Sequence, residues 1–246
     1  MAGDIAFAQS LADVADAITT ARFRALDLRV ETKPDLSPVS EADRNAEQAI
    51  RAAVAASGRG EGVLGEELGD DGGDAKWIVD PIDGTTNYVR GVPVWATLLA
   101  LQRDGEVVLS YVSAPALGRR WWAVRGEGAF ADGERCRVSQ VAKIDDSSVS
   151  TTSARRMPPG WTEIVARCWS NRGLGDFWQH CLVAEGALDV ACDTVMKLWD
   201  YAPVQLLVEE AGGRCTTYDG SIPRVDGSFV ATNGVLHDEV VSLLGS

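Results

Sequence analysis

Apolar residues recur at helical spacing in two stretches near the N-terminus of the chain. Residues 4–26 show the first such pattern, which predicts an amphipathic helix of about six turns. Pro34 and Pro38 then disfavour a continued helix, because proline lacks the backbone N–H that a helix interior uses. Ser40 is a favoured N-cap residue, so we predict that a second helix occupies Glu41–Ala56.

The middle of the chain carries short apolar runs separated by turn residues, a pattern that is typical of β-strands. The predicted strands there are Gly62–Glu66, Lys76–Val79, Val94–Leu101, Glu106–Val112 and Arg119–Val124. Beyond about residue 135, strands are predicted at 148–152, 190–193, 214–218 and 228–231, and helices at 161–169, 176–188, 203–211 and 236–244. We therefore predict an α/β fold, an α+β layered sandwich whose halves, 1–140 and 141–246, share one body.

Composition and charge narrow the function classes. The 246 residues carry a net charge of −13, which argues against nucleic acid as a partner, because phosphate-backbone affinity needs clustered Lys and Arg. No apolar run approaches the length of a membrane span, and the N-terminus lacks the features of a signal peptide. The five cysteines form no Cys-x-x-Cys pair, so neither a zinc site nor a disulfide framework is indicated. We expect a reduced, cytoplasmic setting and no membrane partner.

The densest chemical signal lies in residues 77–87, which read Trp-Ile-Val-Asp-Pro-Ile-Asp-Gly-Thr-Thr-Asn. A buried strand leads there into two carboxylates, Asp80 and Asp83, and we expect Pro81 to end the strand so that both point into one pocket. Gly84 permits a turn, and the amides after it can open a helix whose N-terminus attracts phosphate.

Further acids stand at the ends of predicted elements. Glu66 and Glu67 follow a predicted strand, and Asp200 lies in Leu-Trp-Asp-Tyr-Ala-Pro. Carboxylate oxygens are hard ligands that suit Mg²⁺ and not zinc. Bound cations would also allow an acidic protein to take an anionic phosphate ester, which it would otherwise repel. The expected partner is therefore a small-molecule phosphate ester, held with the help of Mg²⁺.

Several blocks of the sequence, in their order and spacing, resemble the inositol monophosphatase family. The blocks are Gly65–Glu67, Asp80–Asn87, Trp199–Pro203 and Glu209–Gly213, with Ser37–Asp43 and Gly126–Phe130 beside them. The resemblance covers nearly the whole chain. It implies an αβαβα architecture, a homodimer and a metal-dependent phosphomonoesterase.

The resemblance also implies roles for single residues. The metal ligands would be Glu66, Asp80, Asp83, Asp200 and the carbonyl of Ile82, while Asp43, with Asp35, would hold a further and weaker metal. The expected catalytic residues are Glu66, Thr85 and Asp83, and among them Thr85 with Glu66 would orient the attacking water. The amides of Gly84 and Thr85 would receive phosphate oxygens.

Charge counting explains why metal should be obligatory in such a site. Four carboxylates carry roughly −4 and two Mg²⁺ carry about +4, while a third Mg²⁺ would offset the dianionic ester. The expected cofactor is therefore Mg²⁺, at about two to three ions per site. Without metal, a substrate of about −2 would meet strong repulsion in a weakly screened cleft.

Simpler interpretations compete for several residues. Asp200 could be only a helix N-cap, and Asp43 only a first-turn partner of the helix dipole. His180 stands alone on a predicted helix, which favours a plain structural role. Trp121 and Trp122 point to opposite faces of a strand, so one of them could lie partly exposed or at a subunit contact.

The substrate is predicted from two further blocks, residues 33–39 and 172–179. They are similar to the branch of the family that hydrolyses histidinol phosphate. Asp176 and Asp193 would bind the cationic end of that substrate, and Arg172 would brace the loop or Asp176. The expected substrate-binding residues are Gly84, Thr85, Arg172, Gly175, Asp176, Asp193 and Asp200.

Three alternatives stay open at this point. Asp176 could be only another N-cap, since it opens a predicted helix. Within the same class, the alternative is an inositol-1-phosphate phosphatase or a broad-specificity sugar or polyol phosphatase. The alternative of another class is a non-catalytic protein that binds phosphorylated metabolites, although the intact set of acids argues against it.

Overall fold

The computed structural model describes residues 2–34 and 36–245. The α-helices are α1 (Ala2–Arg22), α2 (Glu41–Ala56), α3 (Thr85–Arg90), α4 (Pro159–Arg167), α5 (Asp176–Ala184), α6 (Leu198–Glu210) and α7 (His237–Leu244). The strands are β1 (Val30–Thr32), β2 (Pro38–Ser40), β3 (Gly62–Gly65), β4 (Gly69–Asp70), β5 (Ala75–Asp83), β6 (Ala96–Arg103), β7 (Glu106–Ala114), β8 (Arg119–Val124), β9 (Gly128–Ala131), β10 (Glu134–Arg135), β11 (Ser148–Thr151), β12 (Ser170–Arg172), β13 (Val190–Met196), β14 (Arg214–Thr216) and β15 (Gly227–Thr232). None of the described helices is long and apolar enough to cross a membrane.

Two large sheets divide the described strands between them. The first has the order β10-β9-β8-β7-β6-β5-β3-β4 and is antiparallel except where β3 pairs with β5. The second has the order β12-β11-β13-β15-β14, with β11 parallel to both of its neighbours. β1 and β2 form a separate antiparallel hairpin. The first sheet thus uses chain from Gly62 to Arg135, and the second uses chain from Ser148 onward.

Alternating apolar residues build the layers, because successive strand residues face opposite sides of a sheet. Trp77 packs with α1 and α2 on one face of the first sheet, whereas Ile78 packs with α5 and α6 on the other. Phe229 of the second sheet lies in that same inner core, and Val230 faces outward to α4 and α7. The order is helices, sheet, helices, sheet, helices. The predicted αβαβα sandwich is confirmed, while the division into 1–140 and 141–246 stays a prediction.

The start of α2 follows the prediction from sequence. The helix covers Glu41–Ala56, and Ser40 is its N-cap. The Ser40 hydroxyl accepts a hydrogen bond from the Ala42 N–H at 3.1 Å, and the Asp43 side chain accepts one from the Ser40 N–H at 2.8 Å. This reciprocal pattern is a capping box, which satisfies N–H groups that lack partners within the helix.

Several predicted boundaries were wrong. Pro81 does not end its strand, because β5 continues to Asp83 with a shift in register after Asp80. A proline is tolerated within a strand at such an irregularity, where the ladder is already interrupted. α6 begins at Leu198, earlier than the predicted residue 203, and holds Pro203 in its interior. The short strands β1, β2 and β12 were not predicted.

His237 opens α7 as a buried residue of the second half. Its Nδ1 lies 2.9 Å from the Thr232 hydroxyl, and its Nε2 lies 3.0 Å from the Thr216 hydroxyl. Burial, with the charge of Arg214 second, lowers the pKa of His237 from 6.5 to about 4. The imidazole is therefore neutral in the folded protein over most of the acidic range.

The lowered pKa of His237 predicts that the folded protein becomes less stable in mild acid. Between pH 6.5 and about 4 the unfolded chain binds a proton at His237 that the folded chain does not. The free energy of unfolding therefore falls with falling pH in this window, by at most about 1.4 kcal/mol per pH unit for one proton. Urea unfolding of the wild type and of His237→Gln over this range should give a shallower pH dependence for the variant. Equal slopes would contradict the prediction.

Candidate active site

The end of β5 brings two carboxylates to one side of the first sheet. In a regular strand, residues three apart face opposite sides. The register shift between Asp80 and Asp83 removes that alternation. The Asp80 carboxylate also accepts a hydrogen bond from the Ile82 N–H at 2.9 Å, which fixes the local bend. The irregularity therefore does what the sequence analysis had assigned to Pro81.

The third carboxylate comes from the start of α6. Asp200 is the third residue of this helix and accepts a hydrogen bond from the Lys197 N–H at 2.8 Å. One oxygen from each of Asp80, Asp83 and Asp200 lies within 4.8 Å of the others. Asp200 is thus a capping residue and also a member of the acidic group, so the two interpretations of this residue are compatible.

Burial sets the electrostatics of this group. It raises the pKa of Asp80 and of Asp83 well above the ordinary value, and neighbouring negative charges raise both further. Burial also raises the pKa of Asp200 to about 7; the Lys197 N–H opposes this shift, and the charge of Glu66 adds to it. No Lys or Arg in the described part of the chain forms an ion pair with these three acids.

These observations test whether the residues fit a metal ion. The group offers converging carboxylate oxygens, which are the hard ligands that Mg²⁺ prefers. Buried like charges without cationic partners are costly unless a cation neutralises them. The donor set of Asp80, Asp83 and Asp200 therefore fits a divalent cation that binds oxygen.

Glu66 lies in the turn after β3 and belongs to the same site. Its Oε1 is 2.6 Å from the Lys33 ammonium, which also lies 2.6 Å from Oε1 of Glu67. Salt bridges with both acids raise the pKa of Lys33, although burial opposes this shift. The sequence analysis assigned no role to Lys33, because its pairing depends on how the β1–β2 hairpin folds over the turn.

Glu47 of α2 is a further residue that the sequence analysis missed. Its carboxylate is fully buried and accepts hydrogen bonds from the Glu67 N–H at 2.7 Å and the Leu68 N–H at 3.1 Å. Arg51 pairs with the same carboxylate at 2.8 Å. A Cβ atom at Gly65 would lie only 2.1 Å from Oε1 of Glu47, so a larger residue there would displace this carboxylate. Glu47 therefore fixes the backbone of the turn that carries Glu66.

Thr85 stands at the start of α3, beside Gly84. Its hydroxyl lies 2.9 Å from the Ile82 carbonyl and 3.1 Å from Oδ1 of Asp43. No direct hydrogen bond joins Thr85 to Glu66 within the described ranges. Gly84 has φ of +82°, and a Cβ there would lie 3.0 Å from the Val94 carbonyl, so both its conformation and its space favour glycine.

Asp43 is fully buried beneath Thr85. Its Oδ2 accepts hydrogen bonds from the Ser40 N–H at 2.8 Å and the Ser40 hydroxyl at 2.6 Å. Asp43 is not in the group of converging carboxylates that the described residues form. Its part in holding a further metal stays a prediction. Asp35, named with it, lies outside the described residues.

The loop before α5 places Asp176 at the rim of the site. Asp176 has φ of +47°, a left-handed conformation that aspartate tolerates better than most residues. Its N–H donates to the Thr152 hydroxyl at 2.9 Å, and its carboxylate accepts from the Asn87 amide at 2.8 Å. Burial, followed by the charge of Asp193, raises its pKa to about 6. Gly175, with φ of +68°, forms the N-cap.

Arg172 does not brace Asp176 as the sequence analysis suggested. Its guanidinium is exposed and donates to the Asn171 carbonyl at 3.0 Å. Asn87 holds the Asp176 carboxylate instead and also donates to the Val94 carbonyl at 3.0 Å. An arginine at the edge strand β12 extends into solvent, whereas Asn87 is half-buried on α3 within reach of both Val94 and Asp176. A role of Arg172 in substrate binding stays a prediction.

Asp193 lies on β13, close to the start of α5, and is largely buried. Its carboxylate lies 2.7 Å from the Gln179 amide nitrogen and 2.9 Å from Nε2 of His180. An open cavity of about 180 Å³ lies in front of the acidic residues. Its lining includes Pro38, Glu66, Asp83, Thr86, Asp176 and Asp200. The structure thus brings metal-site and loop acids together around one cleft.

Known proteins are similar to this chain in both sequence and fold. The model of the inositol monophosphatase family matches residues 3–245. A histidinol-phosphatase of Mycobacterium tuberculosis is 50% identical over 255 residues, covering 99% of this chain and 98% of that protein. The fold is similar to that of a Thermotoga maritima IMPase, with a TM-score of 0.92 and 32% identity, covering 99% and 97% of the two chains.

A solved IMPase/NADP phosphatase, complexed with Mg²⁺ and phosphate, is also similar. It has a TM-score of 0.88 and 26% identity, covering 99% of this chain and 95% of that one. The family match spans nearly the whole sequence, and the acidic cleft lies within the matched residues. The chain therefore belongs to the inositol monophosphatase family.

Proposed function

We propose that this member of a phosphatase family hydrolyses L-histidinol phosphate to L-histidinol and phosphate. The observation that carries the proposal is the pair of a half-buried acid, Asp176, and a buried acid, Asp193, beside the acidic cleft. Neither is paired with Lys or Arg in the described part of the chain. A leaving group with an ammonium and an imidazole supplies the positive charge that such acids require. The histidinol-phosphatase relative supports the same substrate.

The metal would be Mg²⁺, at about two to three ions per site. Glu66, Asp80, Asp83, Asp200 and the Ile82 carbonyl would hold it, and Asp43 is the proposed ligand of a further ion. When bound, Mg²⁺ supplies Lewis acidity toward the phosphoryl oxygens and lowers the pKa of water.

The chain's own residues would orient the attacking water, the phosphate group and the leaving group. The Thr85 hydroxyl, held at Asp43, can accept a hydrogen bond from the attacking water and so orient it. The Gly84 and Thr85 N–H groups precede the first intrahelical hydrogen bond of α3 and can donate to phosphate oxygens. Water then adds to phosphorus, the P–O ester bond breaks, and the alcohol leaves with a proton. Asp176 and Asp193 would hold the cationic end throughout.

Inositol 1-phosphate is the second candidate substrate, since the family is that of the inositol monophosphatases. Its ring carries neutral hydroxyls, which can donate hydrogen bonds to carboxylates.

A homodimer and a cytoplasmic location are further proposals. Trp121 is buried, whereas Trp122 is half-buried and stacks on Tyr111 and Phe130.

The first test compares phosphate release from L-histidinol phosphate and inositol 1-phosphate, each with Mg²⁺ and with a chelator. We expect release that requires Mg²⁺ and is faster with L-histidinol phosphate. Faster release from the inositol ester would leave the metal chemistry in place but reject the proposed substrate. No release from either ester would favour a non-catalytic binding protein.

Asp176→Asn should impair hydrolysis of the cationic substrate selectively. Asparagine tolerates the same left-handed backbone conformation, so the charge is the main change. We expect KM for L-histidinol phosphate to rise roughly tenfold or more, since bonds to charged groups are the strong ones. Asp238→Asn, an exposed acid in the first turn of α7, is the matched control. Equal effects of Asp176→Asn on both esters would assign the residue a structural role, in which its carboxylate only holds Asn87.

Glu47→Gln should weaken metal binding without touching a ligand. The amide can no longer accept from both turn N–H groups and Arg51, so Glu66 loses its fixed position. We expect Mg²⁺ affinity, measured by calorimetry, to fall roughly 10–100-fold, as for other outer partners of metal sites. Asp16→Asn removes a comparable acid paired with Arg120 far from the cleft, and it should leave Mg²⁺ affinity unchanged. A Glu47→Gln protein that binds Mg²⁺ like the wild type would contradict this role.

A further inference from the structure

α5 presents two consecutive polar side chains to a single carboxylate oxygen. Gln179 and His180 are both fully buried. The Gln179 amide nitrogen lies 2.7 Å, and His180 Nε2 lies 2.9 Å, from Oδ2 of Asp193. The sequence analysis favoured a plain structural role for His180, because this residue stands alone on a predicted helix. Nothing in the chain indicates that β13 lies beside α5 at this point. In the fold, the histidine is a direct partner of a predicted substrate-binding residue.

The environment of His180 decides which of its nitrogens carries hydrogen. Its Nδ1 is buried and has no hydrogen-bond partner among the described residues. The ring lies edge-on to Phe229, with 5.2 Å between ring centroids. A hydrogen on Nδ1 would therefore be unsatisfied in an apolar surrounding, whereas a hydrogen on Nε2 is donated to Asp193. The geometry favours a hydrogen on Nε2, which is donated to the Asp193 carboxylate and orients it.

The second oxygen of Asp193 stays available to a ligand. The hydrogen bonds of Gln179 and His180 both end on Oδ2, and no described side chain binds Oδ1. About a tenth of the Asp193 side chain is exposed. The carboxylate is thus held by two donors on one oxygen, without a neutralising Lys or Arg in the described ranges.

One of the two donors, Gln179, also connects Asp193 to the loop acid Asp176. The Gln179 amide nitrogen also lies 3.2 Å from the Thr152 hydroxyl, which accepts a hydrogen bond from the Asp176 N–H at 2.9 Å. One short chain of hydrogen bonds therefore joins the two acids that carry the proposed substrate preference. A shift of Asp193 would be transmitted to the backbone at Asp176.

We propose that Gln179 and His180 are positioning residues for leaving-group specificity, which hold Asp193 so that its free oxygen receives the cationic end of the leaving group. This inference rests on the proposed function, since only a cationic leaving group needs an ionised Asp193. A positioning role differs from a packing role in its effect on catalysis. Loss of either donor acts through Asp193, so its effect depends on the charge of the substrate.

The test uses the full-length enzyme with saturating Mg²⁺ and both phosphate esters. His180→Phe removes the donor but keeps an aromatic ring against Phe229, and Gln179→Met removes the other donor at similar length. His180→Gln is the conservative variant, because a glutamine nitrogen can take the place of Nε2. Asp193→Asn, alone and combined with His180→Phe, completes a double-mutant cycle.

We expect His180→Phe and Gln179→Met each to raise KM for L-histidinol phosphate roughly tenfold or more, with kcat changed less than about threefold. Values for inositol 1-phosphate should change less than about threefold, and His180→Gln should restore most of the lost affinity. The double variant should lose no more than Asp193→Asn alone, and the affinity for the product L-histidinol, measured by calorimetry, should follow KM.

Three results would overturn the inference. They are unchanged KM in both donor variants, equal losses on the two esters, and additive losses in the cycle. If His180→Phe does not fold, Gln179→Met decides the question on its own. A wild type that prefers inositol 1-phosphate rejects the proposed function itself. A wild type that prefers L-histidinol phosphate and loses this preference only in Asp193→Asn rejects the positioning role alone.

Discussion

Buried negative charge is the constraint on which the rest of this structure depends. Asp80 and Asp83 end a central strand, and Asp200 opens a helix far along the chain, yet their oxygens lie within 4.8 Å of one another. Their mutual repulsion has to be overcome by the apolar packing of α5 and α6 between the two sheets. Because the folded chain holds these carboxylates close together, it favours the binding of cations. Bound cations in turn reduce the repulsion between this acidic protein and an anionic phosphate ester.

Backbone N–H groups orient the acids before any ligand arrives. The Phe177 N–H donates to Asp83 at 2.7 Å, the Lys197 N–H to Asp200 at 2.8 Å and the Ser40 N–H to Asp43 at 2.8 Å. Each donor lies at the start of a helix, where N–H groups have no intrahelical partner. Each such bond favours the ionised carboxylate and so partly offsets the cost of burial. Helix starts from three parts of the chain therefore orient acids in the charged cleft and beneath it.

The parts of the fold that follow local rules could be predicted from the sequence. Ser40 as N-cap predicted the start of α2 at Glu41, and the apolar run before Asp80 predicted a strand there, which β5 confirms. The predicted strand end at Pro81 was wrong, because the local sequence around a proline is the same at a strand end and at an irregularity within a strand. The roles of Glu47 and His180 could not be predicted, since their partners lie on other elements and only the packing of the layers brings them together. The pattern along the chain identifies charged residues, whereas the tertiary structure decides which of them are held.

The two tasks of the cleft use different parts of the fold, and one bond links them. The metal-site acids come from β5, the turn after β3 and α6, whereas the acids proposed for the leaving group stand on α5 and β13. The link is the Phe177 N–H, which follows Asp176 directly and holds Asp83. A changed side chain at 176 alters the charge offered to a leaving group without moving that N–H. A changed loop length would move it and disturb Asp83. Specificity in this fold is therefore free to vary through side chains, while the backbone of the loop stays bound to the metal site.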